Sequence, residues 1–237
     1  MLDRGDRAID AVCFQALVER RAGGEPIAYI LGRREFWSLD LVVTPDVLIP
    51  RPDSETLIEA ALHEIAPDAV PRILDLGTGS GALLLAALSE WPGAWGLGVD
   101  RSLAALDVAQ GNAGRLGLCA RAAFVQGDWA GALVGGGWDL VLANPPYVAT
   151  GAELGPGVAA FEPAGALFAG TDGLDAYRRL IPDLPRLLAR GGVAIVEIGC
   201  AQAAVVSKMA RNCGLNVQVR PDLGRRDRAL ILRSATE

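Results

Sequence analysis

Asn144-Pro145-Pro146-Tyr147 carries a carboxamide at one end, an aromatic ring at the other, and backbone carbonyls between them. A carboxamide oxygen beside a free carbonyl makes a pair of acceptors suited to the two hydrogens of a planar nitrogen. Proline has no N–H to give a ladder, and each proline steers the residue before it away from helix, so the segment is stiff and extended. The run before it, Trp138-Asp139-Leu140-Val141-Leu142-Ala143, reads as a buried strand that must stop at the prolines. In an open parallel α/β sheet, ligands bind outside the carboxyl ends of the strands, which is where this tetrapeptide falls. A Pro-rich turn closing a strand is the ordinary alternative, so the neighbouring strand ends decide.

Three other strands end in acidic residues. Ile73-Leu74-Asp75-Leu76 leads into Gly77-Thr78-Gly79-Ser80-Gly81 and then a helix, a loop whose glycines permit a tight turn and close approach of a ligand. Gly77, Gly79 and Ala82 also satisfy the dinucleotide pattern G-x-G-x-x-G/A, with Asp100 in a ribose position, so a nicotinamide-dependent oxidoreductase is one reading. S-adenosylmethionine is the other. Asp75 at the loop entrance would repel a pyrophosphate but suits the ammonium of a methionine moiety. Asp100 can accept from both ribose hydroxyls, Asp128 can take an adenine amino group, and Trp129 can pack on the ring. The oxidoreductase reading leaves Asn144-Pro145-Pro146-Tyr147 without a role.

Absences narrow the chemistry. His63 is the sole histidine and Lys208 the sole lysine among 22 basic residues, which removes most hydrolase triads, histidine metal sites and Schiff-base lysines. Cys13, Cys119, Cys200 and Cys213 show no paired spacing, so neither a metal centre nor a disulfide framework is expected. A net charge of −6 argues against stable, sequence-independent binding of nucleic acid. No run approaches the ~18 apolar residues of a membrane span and no signal pattern opens the chain, so a cytoplasmic protein without membrane contact is expected, as a monomer.

The positioning elements follow from periodicity. Apolar spacing predicts an amphipathic helix over about residues 7–22, ended by Gly23-Gly24, then a short helix and turn, and a hairpin from near Glu35-Phe36-Trp37. Asp53 or Ser54 is placed to cap the helix carrying Leu57, Ile58, Ala61 and Leu62. From Pro71 strands and helices alternate, including a helix over 173–188, a strand over 193–198 and a helix over 201–213. The last two strands, near 217–219 and 229–232, are joined too closely for a crossover and should pair antiparallel. The expectation is an α/β, Rossmann-like fold: a seven-stranded, mostly parallel sheet with helices on both faces, preceded by a short helical segment and hairpin. Three regions are expected: a helical segment over 1–35, a hairpin and linker helix over 36–70, and an α/β domain over 71–237; the family resemblance carried by the blocks that follow implies that the first binds substrate and the last is a methyltransferase domain.

These blocks resemble the class I methyltransferases that modify planar nitrogens. Gly24-Glu25-Pro26-Ile27-Ala28-Tyr29-Ile30-Leu31-Gly32, Phe36-Trp37 and Ile49-Pro50-Arg51-Pro52-Asp53-Ser54-Glu55-Thr56 narrow the likeness, as do Phe161-Glu162-Pro163, Asp172-Gly173-Leu174, Glu197-Ile198-Gly199 and Gly224-Arg225-Arg226-Asp227-Arg228. Together they are similar to the peptide chain release factor glutamine-N5 methyltransferases (the HemK/PrmC family), from about Gly24 to Leu232. The resemblance implies S-adenosylmethionine as methyl donor with S-adenosylhomocysteine as product, no metal, and release factors as protein substrates. It implies cofactor contacts by Asp75, Gly77, Thr78, Gly79, Ser80, Gly81, Asp100, Asp128, Trp129 and Asn144. Catalysis and substrate binding would rest on Asn144, Pro145, Pro146 and Tyr147, with Arg51 as a further substrate contact. The family usually carries a longer helical bundle before Gly24, and polar residues where Val158-Ala159-Ala160 stand here. The same site could instead serve a ribosomal-protein glutamine or a nucleic-acid amino group, since the tetrapeptide is shared with adenine-N6 DNA methyltransferases.

Overall fold

The computed structural model describes residues 11–131 and 133–235. Helix α1 (Ala11–Ala22) and α2 (Ile27–Leu31) precede a hairpin of β1 (Arg33–Phe36) and β2 (Leu39–Val42). The predicted first helix thus spans α1, and its predicted residues 7–10 lie outside the described residues. No α1 residue is buried, and Val12, Phe14, Leu17 and Val18 stay exposed. Trp37 and Ser38 turn the hairpin with φ of 51° and 60°, the left-handed pair that matches the twist of a two-residue loop.

Next come α3 (Glu55–Glu64), β3 (Arg72–Leu76), α4 (Ala82–Glu90), β4 (Trp95–Asp100), α5 (Leu103–Arg115), β5 (Ala122–Gln126) and β6 (Trp138–Ala143). Two short helices, α6 (Val158–Phe161) and α7 (Ala164–Leu167), lie in the Gly-rich segment after β6. The helix predicted over 173–188 is broken into α8 (Asp175–Leu180), a 3₁₀ turn over Ile181–Asp183, and α9 (Leu184–Leu187). Pro182 and Pro185 lack the N–H groups that a continuous helix would need. β7 (Leu188–Glu197) starts earlier than predicted, and α10 (Ala203–Asn212), β8 (Leu215–Pro221) and β9 (Asp227–Ser234) complete the chain.

The seven-stranded sheet has the order β5-β4-β3-β6-β7-β9-β8. Pairing is parallel from β5 to β7, and β9 pairs antiparallel with both β7 and β8, as the short link between the last strands requires. The central strands are apolar on both faces because both are covered. Ile73, Leu140, Leu142, Val193 and Ile195 pack with α3, α4 and the hairpin's Phe36 and Leu41. Their chain neighbours Leu74, Val141, Ala143, Ala194 and Val196 pack with Tyr177, Leu184 and Val206 on the other face. No helix among the described residues is long and apolar enough to cross a membrane.

One buried amide ties the hairpin to the sheet's functional edge. Asn112 on α5 is fully buried; its Nδ2 donates to Val42 O (3.0 Å) and Ser80 O (2.9 Å), and its Oδ1 accepts from Val42 N (2.8 Å). Asn112→Ala would leave the buried Ser80 carbonyl and the half-buried N–H and C=O of Val42 without these partners. Urea unfolding of that variant is expected to show a loss of about 3 kcal/mol or more.

Candidate active site

Register aligns the strand ends. Leu76 stands opposite Val99 on β4 and Ala143 on β6, so Gly77, Asp100 and Asn144 emerge side by side. Gln126 on β5 lies opposite Asp100, which sets Asp128 two residues past the same edge. The chain runs outward from β3 through β4 and β5 and returns to β6 on the other side of β3, making this edge the topological switch point.

A cavity of about 300 Å³ opens there. The glycine loop and the ends of β4, β5 and β6 form one side; Asp46, Val47, Leu48, Pro50 and Ser54, with Pro163, Gly165 and Ala166, close the other. Gly77, Gly79 and Gly81 take φ of 76°, 53° and 82°, values that an L side chain rarely adopts. The loop is anchored by Gly77 N and Thr78 N donating to Val99 O (2.8 and 3.0 Å) and by Gly79 N donating to Asp100 Oδ2 (2.9 Å). Asp100 Oδ1 accepts from Ser102 N at 2.9 Å. Each Asp100 oxygen keeps capacity for one more donor, such as a hydroxyl.

Of the residues singled out from sequence, Gly77, Thr78, Gly79, Ser80, Asp100, Asp128, Trp129, Asn144 and Pro146 line the cavity. The left-handed Trp129 (φ 52°) lays its indole against Gly77, with Cζ3 3.5 Å from where a Cβ would stand. Asp128 is exposed at the rim and ion-paired with Arg179. The charged side chains on the wall are Asp46, Asp100 and Asp128 against Arg101, an acidic balance that suits a cationic ligand better than a pyrophosphate. No cluster of His, Cys, Asp or Glu among the described residues is arranged to hold a metal ion.

The other singled-out residues sit elsewhere. Asp75 was placed by sequence at an ammonium, but it is 1% exposed and off the cavity wall, because its strand position points it into the protein beneath the loop. Its Oδ2 accepts from the Thr78 hydroxyl at 2.6 Å, and the Leu84 N–H in the first turn of α4 also favours its charged form. Oδ1 has no partner, and burial raises its pKa to about 7. Asp75 thus braces the loop from below. Gly81 is off the wall too: its Cβ would meet Leu85 and Ala109, so its smallness lets α4 start close to α5. Arg51 is ion-paired with Glu162, which also accepts from Ile49 N (3.1 Å), so this pair joins the two segments closing the cavity.

Pro145 is buried and Tyr147 half-buried, both off the wall. The Tyr147 hydroxyl lies 3.4 Å from Glu197 Oε1. Gln202 Nε2 donates to Tyr147 O (3.1 Å) and Gly173 O (3.2 Å), holding the end of the tetrapeptide in place. Ser54 went unread as a site residue. It does not cap α3; its hydroxyl oxygen instead accepts from Asn144 Nδ2 at 3.0 Å. Nothing local in the sequence distinguishes it from a cap, since its partner is ninety residues away.

Comparison with known proteins places these observations. A model of the "Methyltransferase small domain" matches residues 53–161, and one of the "PrmC N-terminal domain" matches residues 5–32. The chain is 47% identical over 227 residues to the release factor glutamine methyltransferase of Rhodospirillum rubrum, covering 94% of this chain and 69% of that protein. With the enzyme of the same name from Xylella fastidiosa strain Temecula1 it shares 46% identity over 220 residues, 92% of this chain and 80% of the relative. The solved N-terminal domain of human METTL16 in complex with SAH superposes with a TM-score of 0.58 at 17% identity, covering 94% and 84% of the two chains, a likeness of fold.

The buried carboxyl of Asp75 makes a testable signature. Burial pushes its folded pKa up to about 7, well above that of a solvent-exposed aspartate. The folded state therefore binds a proton that the unfolded chain has released, and this contribution to stability is present at low pH and lost as pH rises through about 7. Melting temperatures of Asp75→Asn measured from pH 5 to 8 should fall less steeply with pH than those of the wild type.

Proposed function

The chain belongs to the family of release factor glutamine methyltransferases, and on that premise we propose that it methylates the side-chain amide nitrogen (N5) of the glutamine in the Gly-Gly-Gln motif of peptide chain release factors. One observation carries the reading: the Asn144 carboxamide shares a cavity wall with Asp100 and the glycine loop. S-adenosylmethionine, when bound, supplies an electrophilic methyl group on a sulfonium centre. The backbone from Gly77 to Ser80 would cradle this donor, Asp100 would accept from its ribose hydroxyls, and Asp128 with Trp129 would take its adenine. The acidic wall matches its positive charge. Asp75 contributes by fixing Thr78 and the start of α4.

A glutamine amide nitrogen is a poor nucleophile because its lone pair is delocalised into the carbonyl. Positioning must therefore supply much of the catalysis. Asn144 Oδ1 accepts one amide hydrogen, and the carbonyl of Pro145, flanked by the wall residues Asn144 and Pro146, accepts the other. These acceptors favour the positive charge that builds on the nitrogen in the transition state, and the proton leaves after transfer. Tyr147 supports the segment from beneath through its contact with Glu197, and the Arg51–Glu162 pair holds the cavity's far side near the incoming substrate.

Mass spectrometry of a release factor incubated with enzyme and labelled donor should show a gain of one methylene on the Gly-Gly-Gln glutamine. Label appearing only on a ribosomal protein or on nucleic acid would replace this assignment. Asn144→Ala should lower kcat by about a hundredfold or more while calorimetry finds donor affinity nearly intact; full turnover in that variant would remove Asn144 from the mechanism.

A further inference from the structure

The two acceptors assigned to the glutamine amide differ in what can aim them. The Asn144 carboxamide is tied by its own Nδ2, which donates to Ser54 Oγ at 3.0 Å. The Pro145 carbonyl lies within a pair of prolines that have no N–H to tie to the sheet and whose rings fix φ. Few torsions remain to turn it, so its direction is set by the peptide groups at which the pair begins and ends. On the near side that is β6 itself, in register with β3 and β7 up to Ala143. On the far side it is the peptide group joining Tyr147 to Val148.

Both polar atoms of that group are held. Val148 N donates at 3.0 Å to the carbonyl of Leu167, which follows the cavity-wall residue Ala166. Tyr147 O accepts from Gln202 Nε2 at 3.1 Å. Gln202 stands at the start of α10, whose Val206 and Ala210 are buried in the core, yet its side chain makes no capping bond to that helix. The same Nε2 donates to Gly173 O at 3.2 Å, and Oε1 accepts from Gly199 N at 3.0 Å. A backbone N–H can only donate and a carbonyl can only accept, so these neighbours fix which end of the amide faces Tyr147. The Tyr177 hydroxyl, which also reaches Glu197 O, lies 3.2 Å from Oε1. Glycines make room for the arrangement: a Cβ on Gly199 would stand 2.8 Å from Oε1, and one on Gly173 would stand 2.4 Å from Tyr147 O and 3.1 Å from Nε2.

We propose that Gln202 is a positioning residue for methyl transfer, which aims the Pro145 carbonyl at the glutamine amide by holding the Tyr147–Val148 peptide group. Gln202 is off the cavity wall, so its loss acts on turnover and not on donor binding. Displacing a reacting group by about 1 Å is enough to cost about a hundredfold in rate.

This role rests on the methyl-transfer reading above, and two readouts separate failure of either. Gln202→Glu keeps the acceptor for Gly199 N, removes both donors, and sets a carboxylate oxygen against the Tyr147 and Gly173 carbonyls. In steady-state methylation of a release factor, its kcat, counted per donor site found by calorimetry, should fall about tenfold or more with donor KM little changed. Gly173→Ala, whose added methyl pushes on Tyr147 O, should do the same. Unchanged kcat per donor site in either variant would overturn the proposal. If the wild type leaves release factor unlabelled, the methyl-transfer assignment fails, and the carbonyl ¹³C resonance of Pro145 in the free protein decides the role of Gln202. It should move in both variants, although neither substituted residue adjoins Pro145 in sequence; a resonance that stays in place overturns the proposal.

Discussion

Pairing of β3 with β6 is the constraint on which the rest of the molecule depends. It sets Leu76 opposite Ala143, and so starts the glycine loop and the Asn144 segment from adjacent points on one edge. Neither strand follows the other in sequence; the chain makes β4 and β5 in between and returns. Because successive side chains alternate faces, a one-residue slip would turn Leu140 and Leu142 from one core to the other and move Asn144 away from the loop. The two apolar cores thus enforce the register that builds the cavity.

The hairpin segment is bound into the same arrangement by polar groups whose partners are distant in sequence. Asn112 joins β2 to the Ser80 carbonyl, Glu162 joins Ile49 and Arg51 to the short helices, and Ser54 joins α3 to Asn144. Each of these three residues is buried, where an unmatched polar group is costly and a matched one confers specificity of arrangement. Two carboxylates, Asp75 and Glu197, lie behind the cavity wall with one oxygen each unpartnered. Burial drives both toward their neutral forms, a cost to the fold carried next to the loop and the tetrapeptide they support.

Much of the scaffold was legible because it rests on local pattern. Continuous apolar runs such as Leu140–Ala143 mark strands covered on both faces, and α4 begins where the glycines end. The long helix that periodicity predicts over 173–188 does not form, because the missing N–H groups of Pro182 and Pro185 break it. Ser54 looked like a cap because serine before a helix usually is one; its hydroxyl is taken by a side chain ninety residues away. Arg51 looks available for substrate from sequence, but Glu162, 4% exposed, claims it.

By itself, the sequence determined which residues carry the chemistry: a carboxamide and two prolines after a buried strand, a glycine loop, and acidic strand ends, all properties of residue type and short spacing. Tertiary structure decided how those groups divide between wall and support. Asp100 and Asn144 face the cavity, while Asp75 and Tyr147 lie behind it, because the side a strand-end residue faces depends on the register and twist of its neighbours. It also decided what holds Asn144 in place. The Ser54 hydroxyl that accepts from its amide comes from an element ninety residues away that only the folded chain brings beside it.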